Sequence, residues 1–185
     1  MVKYEIQNVV ASAVVATELD LDKVAESLEN VEYEPEQFPG LVLRFEDIGT
    51  VALLFRSGKV VCTGGKSEED INRTVEALRK ILKDLGFELL EPPRVEIQNI
   101  VASVDLEGEL DLTEVAVKFG PENVEYDPEQ FPGLVYRMDD PKVAILVFGS
   151  GKLVIAGAKT TDDVKRAVEA IKEKLESLGL IKYKT

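Results

Sequence analysis

The sequence predicts an α+β protein of two repeated halves, each an antiparallel sheet with helices on one side. Three observations predict it. EYEPEQFPGLV at residues 32–42 returns at 125–135 as EYDPEQFPGLV, with ten of eleven letters unchanged. YEIQNVVAS at 4–12 returns as VEIQNIVAS at 95–103, and LFRSGKVVCTGGK at 54–66 returns as VFGSGKLVIAGAK at 147–159. Short runs of period two give way, near the end of each half, to one long run at helical spacing. The halves are 1–90 and 91–185, joined by FELLEPP at 87–93, whose proline pair stops the preceding helix. The offset between halves is 91 residues up to Ala25 and 93 from Asn30 onward, where ESLE becomes VKFGPE.

Each half opens on an alternating strand, Tyr4–Ser12 or Val95–Ser103. A short helix is expected around Leu19–Ser27 or Leu110–Lys118. Strands Gly40–Phe45, Thr50–Phe55 and Lys59–Thr63 follow, with counterparts in the second half, and RSGK or GSGK supplies the Ser-Gly hairpin turn. The closing helix puts Ile71, Val75, Leu78, Leu82 and Leu85 on one stripe, and Val164, Val168, Ile171, Leu175 and Leu178 on the other. Ser67 before Asp70, and Thr160 before Asp163, read as N-caps with an acid at the third position. Gly86 and Gly179 stand where helices end on glycine.

Side chains on a strand alternate between faces. Ile6, Asn8, Val10 and Ser12 share one side, with Gln7, Val9 and Ala11 on the other. Leu53 and Phe55 share a face, as do Lys59, Val61 and Thr63. The matching sets are Asn99, Val101 and Ser103, then Leu146 and Phe148, then Lys152, Val154 and Ala156. The opposite registers, such as Ala52 with Leu54 and Leu153 with Ile155, are also apolar. Two helices per half cover one face only. The other is an apolar surface for a ligand or for a partner subunit.

Charge separates these options. Residues 48–66 hold Arg56, Lys59 and Lys66 and no acid; residues 141–159 hold Lys142, Lys152 and Lys159 and no acid. Each run is locally basic in a chain of net charge −13, whose acids lie in the helices and the YEPEQ or YDPEQ loops. An apolar centre flanked by cations, with phenylalanines in equivalent pairs, suits the DNA minor groove, which apolar wedges open. Asn8 and Asn99 are placed to donate to the acceptors of A·T pairs there.

Other classes fit poorly. The composition, 45% hydrophobic and 31% charged, is that of a globular protein. No apolar run spans a membrane, and MVKYEIQNVV has no signal-peptide architecture. One cysteine, Cys62, permits no internal disulfide and fits a reducing compartment. The lack of histidine removes the usual general base and the usual zinc ligand. Asp139 with Asp140, or Asp162 with Asp163, are the acid pairs a magnesium nuclease would need, but such adjacent acids are usually solvated or capping residues.

Together IQNVVAS/IQNIVAS, EYEPEQFPGLV/EYDPEQFPGLV, LLFRSGK/LVFGSGK and VVCTGGK/LVIAGAK resemble the TATA-box-binding protein family in its archaeal form, over essentially the whole chain. The family is the type case of minor-groove wedging. The resemblance implies a saddle: two pseudo-twofold-related repeats, a curved ten-stranded antiparallel sheet beneath and four helices on the convex side. It implies a general transcription initiation factor that bends double-stranded TATA-box DNA and recruits transcription factor B and RNA polymerase. It implies no cofactor, no metal and no catalytic residue, and places the protein in the cytoplasm, at the archaeal nucleoid.

By the same resemblance Phe38 pairs with Phe55 and Phe131 with Phe148. Each pair inserts at one end of the box from a stirrup loop stiffened by Pro39 or Pro132. Asn8 and Asn99 meet the central base pairs. Val10, Val101, Val61, Val154, Leu53 and Leu146 form the floor, and Thr63 bonds a base edge where its counterpart Ala156 has no hydroxyl. Arg44, Arg137, Lys59, Lys152, Lys66 and Lys159, with Ser57 and Ser150, are the phosphate contacts. Asp127 and Glu129 of the second stirrup meet factor B. The near identity of the stirrups implies poor discrimination of direction by the protein alone, and the acidic back implies weaker binding at low salt. The alternative is an interaction scaffold or a DNA-free homodimer using the apolar sheet face.

Overall fold

The structure, a computed structural model, describes residues 3–184. Its contacts divide the chain into two units, Asn8–Gln98 and the residues up to Gln7 with Asn99 onward. Sequence repeat and compact unit are thus offset by the opening of a strand. Gln7 Nε2 donates to Ser103 Oγ at 2.8 Å within one unit, and Gln98 Nε2 to Ser12 Oγ at 2.9 Å within the other.

The first repeat runs β1 (Tyr4–Val14), α1 (Leu21–Ser27), β2 (Val31–Glu32), β3 (Leu41–Phe45), β4 (Thr50–Leu54), β5 (Lys59–Gly65) and α2 (Glu68–Asp84). Its strands pair antiparallel in the order β2-β3-β4-β5-β1. The second runs β6 (Arg94–Asp105), β7 (Gly108–Leu110), α3 (Leu112–Phe119), β8 (Val124–Glu125), β9 (Leu134–Asp139), β10 (Lys142–Val147), β11 (Lys152–Ala158), α4 (Thr161–Ser177) and β12 (Ile181–Tyr183). Here the order is β6-β11-β10-β9-β8, and β7 pairs separately with β12. Among the described residues no helix is long and apolar enough to cross a membrane.

The long helices form where their caps direct. Ser67 Oγ accepts from Asp70 N at 3.1 Å and Asp70 Oδ2 from Lys66 N at 3.0 Å; Thr160 and Asp163 repeat this in α4. Both end in paired bonds from the glycine and the residue beyond it: Gly86 N to Lys83 O and Phe87 N to Leu82 O, with Gly179 and Leu180 as equivalents. The short helices start two residues later than the periodicity predicts. Leu19 N and Leu110 N are already committed to Arg56 O and Gly149 O, and Asp20 and Asp111 then cap.

Apolar burial sets the covered face. Ile71, Val75, Leu78 and Leu82 of α2 are buried over Ala52, Leu54, Val60 and Cys62 of β4 and β5. Val164, Val168, Ile171 and Leu175 of α4 are buried over β11. Each large aliphatic side chain so removed from water contributes about 1.5–3 kcal/mol. One polar pair sits in the first of these cores. Thr50 and Thr74 hydroxyls lie 2.6 Å apart, and Thr74 Oγ1 donates to Asp70 O at 2.7 Å. The second repeat has Val143 and Ala167 at these positions.

Thr74→Ala alone strands the Thr50 hydroxyl and is expected to cost about 1–3 kcal/mol in urea unfolding. Adding Thr50→Val, which copies the second repeat, is expected to recover part of that loss. Additive losses would contradict the coupling.

Candidate nucleic-acid interface

On each sheet the residues opposite the helices stay partly exposed while their neighbours are buried. Val10, Val51, Leu53, Val61 and Thr63 alternate with Val9, Ala52, Leu54, Val60 and Cys62. Val101, Leu146, Val154 and Ala156 alternate with Ile100, Ile145, Leu153 and Ile155. Cross-strand register lines them up, with Val42, Leu53, Val61 and Ser12 in one row and Val135, Leu146, Val154 and Ser103 in the other. The apolar floor predicted from the sequence is therefore assembled, and no helix of its own unit covers it.

The phenylalanines meet at the end of each floor. Phe38 and Phe55 lie edge to face with centroids 5.9 Å apart and planes at 72°; Phe131 and Phe148 match at 5.9 Å and 70°. Phe38 is 39% exposed and Phe131 40%, an unusual state for so large an apolar side chain. Turn bonds from Phe38 N to Glu34 O and from Phe131 N to Asp127 O, each 3.0 Å, fix the loops that carry them. Glycine follows the Phe-Pro for a steric reason. A Cβ on Gly40 would stand 2.7 Å from Phe38 Cε2 and 2.9 Å from Phe55 Cε1, and one on Gly133 would meet Phe131 and Phe148 at the same distances. Pro39, Pro132, Asp127 and Glu129 are exposed.

The two asparagines are aimed. β5 and β11 slip register as they cross β1 and β6, and Gly64 and Gly157 take φ +90° and +95° in the slipped segments. The slip frees their amides from the ladder. Gly64 N donates to Asn8 Oδ1 at 2.7 Å and Gly157 N to Asn99 Oδ1 at 2.6 Å. With the oxygen held, each side chain presents its NH₂ as the donor. Thr63 Oγ1 lies 3.4 Å from Asn8 Nδ2; Ala156 has nothing comparable to offer Asn99.

The cations form the rim. Among the described residues Lys59, Lys66, Lys152 and Lys159 are exposed with no carboxylate within 4.0 Å. Arg44 and Arg137 are less free than the sequence predicts. Arg44 pairs with Glu32 at 2.8 Å and Arg137 with Glu125, all four exposed, so the pairing is worth at most about 1 kcal/mol. Arg56 is held by Asp22 and Tyr33, both at 3.1 Å, which raises its pKa further. Ser57 and Ser150 are exposed in the hairpin turns. Sequence reasoning missed Lys3, Tyr4 and Glu5, which with Phe148, Ser150, Lys152 and Val154 line a concavity of about 640 Å³. It also missed Arg94, beside Lys59 and Ser12 in one of about 410 Å³. The equivalent sites of Lys3 and Arg94 in the two repeats were the available signal.

Asp140 and Asp163 are both engaged by Arg166, at 2.7 and 3.7 Å. Among the described residues no three His, Cys, Asp or Glu side chains gather as a metal site would need. Cys62 is buried under α2, and desolvation pushes its thiol up to about 11.

Fold and face together define a repeated α+β protein with a bare apolar sheet face in each unit. Two segments, residues 3–85 and 94–178, match the family model described as transcription factor TFIID, or TATA-binding protein. The TATA-box-binding protein of Archaeoglobus fulgidus is 52% identical over 179 residues, covering 97% of this chain and 98% of that one. That of Thermoplasma volcanium is 51% identical over 179 residues, covering 97% of each. The solved structure of Methanococcus jannaschii TBP superposes with a TM-score of 0.87 at 50% identity, covering 95% of this chain and 99% of that one. The chain belongs to the TATA-box-binding protein family, and its fold is the family's.

Burial makes a checkable prediction for Cys62. Its thiol should resist alkylation at pH 8 in the native state and react promptly in denaturant. A folded pKa raised above the unfolded value of about 8.5 means stability is lost as pH climbs from there towards 11. Fast native labelling would contradict the packing.

Proposed function

We infer that this chain is a transcription initiation factor that binds the TATA box through the minor groove and bends it. The observation that carries the reading is the pair of exposed, edge-to-face phenylalanine clusters at equivalent ends of two bare apolar floors. Phe38 and Phe131 are the wedges, braced by Phe55 and Phe148 and propped by loop backbone at Gly40 and Gly133. Val10, Val61, Leu53 and their counterparts lie on the sugar edges and base edges. Asn8 and Asn99 donate to adenine N3 and thymine O2, the only minor-groove acceptors an A·T pair shows. Thr63 adds a hydroxyl in the first half-site. Lys59, Lys66, Lys152 and Lys159 contact phosphates, with Lys3 and Arg94 beside them. Arg44 and Arg137 exchange Glu32 and Glu125 for phosphate at small cost.

The exposed Asp127 and Glu129 are the contacts for transcription factor B, through which RNA polymerase is recruited. Glu34 and Glu36 give the first stirrup nearly the same surface, so factor B rather than this chain sets direction on an all-A·T box. The bare apolar floors also favour a second reading. Without DNA, two copies pair face to face, and adding TATA duplex dissolves the dimer. A dimer indifferent to duplex would make the scaffold the function.

Fluorescence anisotropy on a TTTATATA duplex against a G·C-rich duplex of equal length tests the main reading. Strong preference for the first is expected, with Phe131→Ala costing about thirtyfold, as an interface hot spot does. At about 0.9 per phosphate the four lysines alone give a log–log potassium slope of about 3.6 in magnitude, and Arg44 and Arg137 raise it to about 5.4. Equal, feeble binding to both duplexes would overturn the reading.

A further inference from the structure

We propose that Ala144 and Ala156 form a notch in the second repeat that admits a G·C pair where the first repeat admits only A·T. One G·C pair then sets the protein's direction on an otherwise A·T box. The inference rests on the minor-groove reading and names its specificity determinant.

The two floors match almost residue for residue: Asn8 and Asn99, Val10 and Val101, Leu53 and Leu146, Val61 and Val154. Apart from Val14 against Asp105 at the outer edge, opposite Lys59 and Lys152, they part at one place. In the first repeat Val51 of β4 stands opposite Thr63 of β5. In the second Ala144 of β10 stands opposite Ala156 of β11. The surroundings are the same, since Arg44 flanks Val51 and Arg137 flanks Ala144 in the next strand. Two truncations side by side remove four heavy atoms, three carbons and the Thr63 hydroxyl, from one spot. No neighbour fills it, because both alanines remain partly exposed. The adjoining asparagine differs too. Asn8 is hemmed by Thr63 Oγ1 at 3.4 Å, while Asn99 keeps only the bond from Gly157 N at 2.6 Å.

In the minor groove a G·C pair differs from an A·T pair by one group, the guanine 2-amino nitrogen that rises from the groove floor. Against Val51 and Thr63 it meets packed atoms, and a close-packed surface resists even one more heavy atom. Against Ala144 and Ala156 it enters space already present. Its free N–H is not stranded, since the notch is open to water. Placing the amino group over the first repeat costs what a mismatched pair costs, and over the second it does not.

The test uses three duplexes: TATATATA, the same box with one G·C pair in its left half, and the same with the pair in its right half. A cleavage reagent tethered at Glu36→Cys, exposed in the first stirrup, reports which end the first repeat occupies; buried Cys62 stays unlabelled. Even cleavage of both ends is expected on TATATATA. On the other two, cleavage should favour the end away from the G·C pair by at least about fivefold. The bias should follow the pair from left to right and vanish when inosine, which lacks the amino group, replaces guanine. Exchanging the floors with Val51→Ala, Thr63→Ala, Ala144→Val and Ala156→Thr should reverse it. Binding of all three duplexes without bias would overturn the notch while leaving the minor-groove reading intact. So would equal loss of binding with G·C in either half. Failure to bind TATATATA itself would remove both. The wild-type arms decide the matter even if the exchanged protein does not fold.

Discussion

Each repeat has two helices for a five-stranded sheet, and they cover one face only. The opposite face keeps Val10, Leu53, Val61 and their counterparts bare between the polar Asn8, Ser12 and Thr63 and theirs, with no helix of its own unit over them. Every other feature follows from that imbalance. On the proposed reading a charge placed on this face would weaken DNA binding, and its residues cannot be buried without a third layer that the repeat does not encode. Net charge obeys the same division. The acids concentrate on the helices and stirrups, away from the two acid-free strand runs, so that among the described residues no carboxylate pairs with the rim lysines.

What turns an apolar patch into a reader is rigidity at a few points. A register slip releases one glycine amide per repeat, and that amide holds the asparagine oxygen, so the donors point outward before any ligand arrives. The wedges are prepared in the same way. Each exposed phenylalanine leans edge-on against the phenylalanine just past the end of β4 or β10, and a missing Cβ at Gly40 or Gly133 gives both rings their room. Little side-chain ordering is left to be done on binding, which is where preorganised sites gain affinity.

Much of this was legible in the sequence. Repeats, strand alternation and the stripes of α2 and α4 are local patterns, and the caps at Ser67 and Thr160 fall within four residues of what they bond. Alternation alone named the two faces. What the sequence hid was non-local or short. The bond from Gly64 to Asn8 joins residues 56 apart and depends on a bulge. The starts of α1 and α3 were misplaced because Leu19 and Leu110 look helical while their amides serve the hairpin. Strands β2, β7, β8 and β12, at two or three residues, are too short to show a period. Arg44 and Arg137 looked like free cations because nothing in β3 or β9 reveals that Glu32 and Glu125 lie one strand away. Half of the Ala144–Ala156 notch was visible as Thr63 against Ala156; the other half needed the cross-strand register.

The central claim is that the bare floors and paired phenylalanines pry apart base steps at both ends of an A·T box. Fluorescence of 2-aminopurine placed at each outer step of the box measures that opening directly. The account predicts a rise at both steps on adding protein, lost at one end with Phe38→Ala and at the other with Phe131→Ala. Tight binding with both probes still stacked would contradict it.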